Sequence, residues 1–345
     1  MAIDMCGRPP VCGGLPGRPA PQPLTVIAAP VPKSRCPLKA PDCSRTGIAI
    51  TVLMVALTSA LHAEVSLQAA LNRISEEAEA FRLNARNVIG REVLKHTGRK
   101  APPRFRPRIG EAARQVTPGS YVTREIVSEY GYSTLKDNPD ALHEFRKVVA
   151  VDGRQILRAE TARTTLAINM RSGDDRERRR MLQEFEKHGT AGATTDFGLM
   201  LLLFHRRALP YYEFALGRSA YLGADPAVVI RYRQRPGSSG LNVYQGRELV
   251  RVPMEGEIWV RQRDLVPLRI SMNVVTDVDE RKAVHAAVVE YAPSARGTLL
   301  PASVRYTETV DNVMMTENLY QYSSFKFFTA ETDIKFTPGA ESPSK

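Results

Sequence analysis

The sequence from residue 64 onward predicts a mainly β fold of the α+β class: an antiparallel sheet with one wet face, one packed face and a few helices covering the packed side. Three observations predict it. From Tyr211 to Thr329 the chain is a succession of short runs rich in β-branched and aromatic residues, divided by turn residues. An amphipathic helical stretch precedes them, and a wholly apolar stretch, Phe197–Phe204, interrupts the strands. That stretch is too short to cross a bilayer and therefore calls for burial against something equally apolar.

The first element is helical. Leu67, Ala70, Leu71, Ile74, Ala78 and Phe81 recur at three- and four-residue spacing. Ser66 stands at the N-cap position, and Glu76, Glu77 and Glu79 are expected on the opposite face. Asn87 to Leu94 reads as a strand, and the proline-punctuated, arginine-rich Arg99 to Arg108 as a solvated loop. Tyr121 to Leu135 is a strand. Asp152-Gly153 between two such runs is a hairpin signal that pairs Phe145–Val151 with Arg154–Leu157.

A helical insertion is expected over about residues 160–206. Asp174 or Asp175 caps a helix carrying Met181, Leu182 and Phe185 on its apolar side. Its arginines, Arg176 and Arg178 to Arg180, alternate with Glu177, Glu184 and Glu186, the pattern of a solvated face and not of a nucleic-acid patch. Asp196 is expected to cap a second helix over Phe197–Phe204. Strands follow at Tyr211–Leu216, Val228–Arg235, Leu241–Tyr244, Glu248–Pro253, Glu257–Gln262, Val266–Val275, Ala286–Tyr291, Ser303–Val310 and Leu319–Thr329, joined up and down. Arg231, Arg233 and Arg235 occupy alternate positions and share one face, a basic surface.

The N-terminal part carries an address. Arg45, the apolar run Gly47 to Leu61, and Leu61-His62-Ala63 before Glu64 have the layout of a secretory signal, with cleavage expected between Ala63 and Glu64. The apolar run is shorter than the roughly 20 residues of a membrane-spanning helix. Residues 1–44 hold all four cysteines and ten of the 24 prolines. Their cysteine spacing matches no zinc pattern, so the segment reads as a leader or an upstream start. The expected organisation is thus a leader over 1–44, a signal peptide over 45–63, one domain over 64–335 and a disordered tail over 336–345. After cleavage the protein would be periplasmic or extracellular, and would contain no cysteine. Its 42 basic and 35 acidic residues give a net charge of +7 that favours anionic surroundings without specifying a partner.

Gly256-Glu257-Ile258-Trp259-Val260, followed by Pro267-Leu268-Arg269-Ile270, resembles the late hairpin of the outer-membrane lipoprotein-sorting carrier superfamily (LolA-like). Ala302 to Tyr306, Glu317 to Tyr320 and Phe325 to Phe328 continue the likeness, which covers about residues 210–330. The resemblance implies a strongly curved antiparallel sheet, a half-barrel, wrapped around a few helices, with acyl chains held between sheet and helices. The carriers are shorter and lack the 160–206 insertion. Their basic lid residue is assigned to no position here, so lipoprotein transfer is not carried over.

Catalytic chemistry finds little footing. His96, His143, His188, His205 and His285 are far apart, and neither His-Glu-x-x-His, Gly-x-Ser-x-Gly nor a phosphate-binding glycine loop occurs. No catalytic residue, metal ligand or cofactor is assigned. The expected function is binding of an apolar or amphiphilic ligand such as a lipid acyl chain, lined by Leu199, Leu202, Phe204, Phe214, Trp259 and Ile270. The alternative is an envelope-associated interaction module without ligand, its basic face meeting an acidic surface; a hydrolase ranks third.

Overall fold

The computed structural model describes residues 66–100, 120–190, 196–236, 241–245, 248–278 and 281–328, with backbone alone for 241–245, 248–252 and 278. The leader, the signal with its Ala63–Glu64 junction, the basic loop from 101 to 108 and the tail lie outside the described residues.

Helix α1, Leu67–Asn84, buries Ala70, Leu71, Ile74, Ala78 and Phe81, the positions that the periodicity selects. Glu77 departs from expectation. It is buried beside the core and ion-paired to Arg73 one turn earlier, and burial raises its carboxyl above the ordinary range against the pull of that guanidinium. Ser66 is extended but makes no side-chain cap.

Thirteen strands follow among the described residues: β1 Val88–Arg99, β2 Tyr121–Leu135, β3 Asn138–Val151, β4 Arg154–Gln155, β5 Tyr212–Leu222, β6 Asp225–Gln234, β7 Leu241–Gln245, β8 Glu248–Val252, β9 Glu255–Arg261, β10 Pro267–Val278, β11 Arg281–Pro293, β12 Leu299–Val310 and β13 Val313–Phe327. Eleven of them form one antiparallel sheet in the order β4-β3-β2-β1-β13-β12-β11-β10-β9-β6-β5, and β7 with β8 is a separate hairpin. The up-and-down pattern thus has a discontinuity that the sequence does not announce: the first strand lies between the second and the last. The Asp152-Gly153 turn forms with both residues at positive φ, 48° and 77°. The pairing it starts is shorter than expected, Val151 with Arg154 and Ala150 with Gln155.

Between β4 and β5 lie α2, Ala159–Ser172, α3, Asp175–Lys187, and the stretch Phe197–Phe204. Gly173, at φ 57°, ends α2, and the Asp174 carboxylate accepts from the Arg176 amide (2.9 Å) to start α3, as expected. Phe197–Phe204 is a 3₁₀ segment and not an α-helix, and Asp196 does not cap it. The Asp196 side chain is engaged elsewhere, by the amide of Glu144 on β3 (3.0 Å), by His143 Nδ1 (3.0 Å) and by Arg178 (3.1 Å).

The sheet is open and curled. A 3₁₀ stretch of eight residues is about 16 Å long, yet Asp196 at its start is bonded to β3 and Phe204 at its end packs 5.4 Å from Tyr212 on β5. Those strands are nine neighbour steps apart, about 43 Å on a flat sheet. The sheet therefore wraps the segment. On the concave side α1, the 3₁₀ segment and Met181 and Phe185 of α3 join one continuous apolar core. Helix α2 packs on the convex side, where Leu166, Ala167 and Met170 meet Ile89, Leu135 and Phe145. Gly131 permits that approach, since a Cβ there would stand 2.7 Å from Met170 Sδ.

A sheet edge left bare invites pairing with another chain. Along β3 the outward amides of Glu144 and Arg146 are taken by Asp196 and by Met181 Sδ (3.1 Å). At the far end β5 has β6 on one side only.

Candidate functional site

At the end of the concave side where β11 turns into β12, a pocket of about 190 Å³ opens. Its walls are apolar, with Leu300, Pro301 and Ala302 from β12, and Phe325 and Phe327 from the end of β13, above Tyr322. The turn Ser294–Thr298 that rims it is closed by Ser294 N–H to Thr298 O (2.8 Å) and Gly297 N–H to Ser294 O (2.9 Å). Ser324, at φ 55°, kinks β13, and Gly90 on β1 makes room for Phe325, because a Cβ there would lie 2.5 Å from its ring. None of the ten lining residues is charged.

Beneath the pocket is a buried charged network. Tyr322 contacts Tyr130 (ring centroids 4.7 Å), and the Tyr130 hydroxyl donates to Glu144 Oε1 (2.8 Å). Arg146 donates through Nε to both oxygens of Glu92 (2.8 and 2.9 Å) and through Nη2 to Glu144 Oε2 (2.5 Å). Its guanidinium also stacks near the rings of Tyr130 and Tyr320, at 5.3 and 5.9 Å. Two carboxylates share one guanidinium in a site without exposure. Burial, with repulsion from Asp196 and Glu92, outweighs Arg146 and pushes the Glu144 carboxyl up to about 8. Asp196 goes the other way: burial opposes its charge, but His143, Arg178 and the Glu144 amide hold it below the ordinary range. Both groups serve packing and edge closure, and both lie away from solvent.

Near the opposite end of the strands the concave side carries two buried histidines. His96 Nδ1 lies 2.6 Å from Asn318 Oδ1, and His285 Nδ1 lies 2.9 Å from the Tyr306 hydroxyl. Burial lowers the pKa of both histidines. Among the described residues no three histidine, cysteine or acidic side chains converge as a metal site.

The six residues expected to line a groove are divided. Leu199, Phe204 and Ile270 are fully buried in the concave core, with Leu202 and Phe214 packed against it. Trp259 is on the convex face, where its ring lies between Arg218 and Arg269 (5.7 and 5.1 Å) and its Nε1 donates to Glu257 (3.1 Å). The strand alternation explains this, since its neighbours Ile258 and Val260 point inward. None of the six forms a wall of the rim pocket. Arg231, Arg233 and Arg235 are exposed as expected. Arg233 pairs with Glu255 (3.0 Å), Arg235 donates to the Tyr212 carbonyl (3.3 Å), and Glu257 stands opposite Arg231 in the register. Further along the convex face Arg269 pairs with Glu290, and Arg305 with Glu317. That face is thus a ladder of cross-strand ion pairs more than a bare basic stripe.

The buried Glu92, Glu144 and Arg146 escape a sequence reading that looks for motifs. The available signal is parity: Glu144 and Arg146 share their strand face with Leu142 and Val148, which are core residues.

No family model matches the chain, and no curated protein matches it. Two solved structures are similar. One is a DUF1329 family protein from Desulfovibrio piger, 8% identical, spanning 79% of this chain and 95% of that one, with a TM-score of 0.36. The other is a LolA superfamily protein from Nitrosomonas europaea, 12% identical, spanning 77% and 95%, with a TM-score of 0.28. Among the described residues no helix is long and apolar enough to cross a membrane.

Proposed function

We propose that this chain is an exported binding protein, periplasmic or extracellular, that holds the alkyl part of an apolar or amphiphilic molecule at the rim of its half-barrel, and that it is not an enzyme. The observation that carries this reading is the uncharged pocket bounded by Leu300, Pro301, Phe325 and Phe327. The signal-like Arg45 to Ala63 supports the compartment. A cavity of about 150 Å³ holds a benzene ring, so a pocket of about 190 Å³ suits a chain segment of roughly six to eight carbons. At about 0.8 kcal/mol per buried CH₂, seven contribute on the order of 5 kcal/mol before the costs of association. In this reading Leu199, Phe204 and Ile270 are the packed backing of the site and the ligand meets the rim.

Titration with a fluorescent fatty-acid probe tests it. Saturable binding is expected, weakened tenfold or more in Ala302→Trp or Ala292→Trp, which fill the pocket, with melting temperature unchanged. Absence of saturable binding, or binding untouched in folded variants, would overturn the reading. A second reading, an interaction module without ligand, draws support from the close packing of the concave core around Phe197–Phe204. It expects no saturable binding in the same titration.

A further inference from the structure

We infer that the rim pocket selects a single-chain amphiphile with an anionic head, recognised at the mouth by Arg296. This rests on the binding function proposed above and adds the chemical class of the ligand. Arg296 belongs to the exposed turn Ser294–Thr298, and its guanidinium carbon lies 4.9 Å from the ring centre of Phe327, a wall of the pocket. The charge is therefore held over the apolar opening by a cation–π contact, the arrangement that suits a chain inside and a head group outside. Among the described residues no carboxylate pairs with Arg296, whereas Arg233, Arg269 and Arg305 on the convex face each have a glutamate. With no acidic residue in the lining, a cationic head gains nothing there. Ser294, also in the wall, has its Oγ buried without a hydrogen-bond partner among the described residues. The size of the pocket admits one chain and not two.

The test compares decanoate, decanol and decyltrimethylammonium by calorimetry below their micelle concentrations, in the wild type, Arg296→Ala, Ala292→Trp and Ala302→Trp. Decanoate is expected to bind at least tenfold more tightly than the cationic probe. Arg296→Ala, at an exposed turn position, should bring decanoate to within twofold of decanol measured in the same variant. Ala292→Trp should weaken all three. If Arg296→Ala keeps the wild-type preference, or the cation binds as well as decanoate, the head-group assignment is overturned while pocket binding stands. If Ala292→Trp and Ala302→Trp alter none of the three affinities, the pocket itself is not the site and both readings fall. Binding confined to anionic phospholipid vesicles, with none to decanoate, would identify a membrane surface and also overturn the single-chain assignment.

Discussion

Tyr130 donates its hydroxyl hydrogen to Glu144 Oε1 while Arg146 holds the other carboxylate oxygen, so the Glu144 carboxyl is fixed at both ends inside the core. One guanidinium cannot neutralise both Glu144 and Glu92, and the added proton is retained far above the usual carboxylate range. Unfolded, the group titrates near 4.5; folded, near 8. Below the lower value both states hold the proton and the contribution to stability is whole. Between about 4.5 and 8 only the folded carboxyl keeps the proton, so stability is lost progressively as pH rises across that interval and levels off above about 8, on the order of a few kcal/mol in all. Urea midpoints should therefore fall between about pH 6.5 and 8 and level off above, and fall less in Glu144→Gln. Parallel slopes in the two proteins would contradict this.

The acid side has the opposite sign. Burial keeps His96 and His285 less basic than in the unfolded chain, so the unfolded state binds protons that the fold cannot. Stability should fall as pH drops below about 6.5. In His285→Gln the acid limb should be shallower, measured by the same midpoints from about pH 5 to 7.

Arg146→Met removes the guanidinium that Glu92 and Glu144 share inside the core. A loss of about 3–5 kcal/mol is expected, read by chemical denaturation. Adding Glu92→Leu and Glu144→Leu should restore much of it, because an apolar replacement of the whole group removes the desolvation cost with the charges. A further loss in the triple variant would show that the network itself stabilises the fold.

Tyr291 ties the 3₁₀ segment to β11, accepting from the Leu201 amide (2.9 Å) and donating to the Gly198 carbonyl (3.1 Å). Tyr291→Phe strips partners from two buried backbone groups, at about 1–3 kcal/mol for each. Hydrogen exchange should show the Leu201 amide losing protection before strands β11 and β12 do.

Gly256 on β9 lies against the backbone of β10, where a Cβ would come within 2.8 Å of the Ser271 carbonyl carbon. Backbone cannot move aside as a side chain can, so Gly256→Ala should cost more than the 1–3 kcal/mol of ordinary overpacking. A thermal melt decides it.

What the sequence discloses here follows its local physics. The spacing from Ala70 to Phe81 marks α1, Asp174 marks the start of α3, and Asp152-Gly153 marks a turn, because each depends on neighbours a few positions away. Asp196 misleads for the same reason: its position suits a helix cap, but its side chain answers to His143 and Glu144, more than fifty residues earlier. Trp259 looks like a groove residue until register places it outward. The rim pocket joins residues 292–302 to 322–327, a meeting that pattern reading along the chain does not reveal.

The insertion of β1 between β2 and β13 sets a timetable for assembly. His96 meets Asn318 across 222 positions, so β1 gains its second neighbour only after residues 313–327 have left the ribosome. Until then half of its edge is bare, and the loop entropy of so distant a closure slows the final step. A nascent chain of this topology stays unsealed at β1 until β13 has emerged, however early its first twelve strands are made.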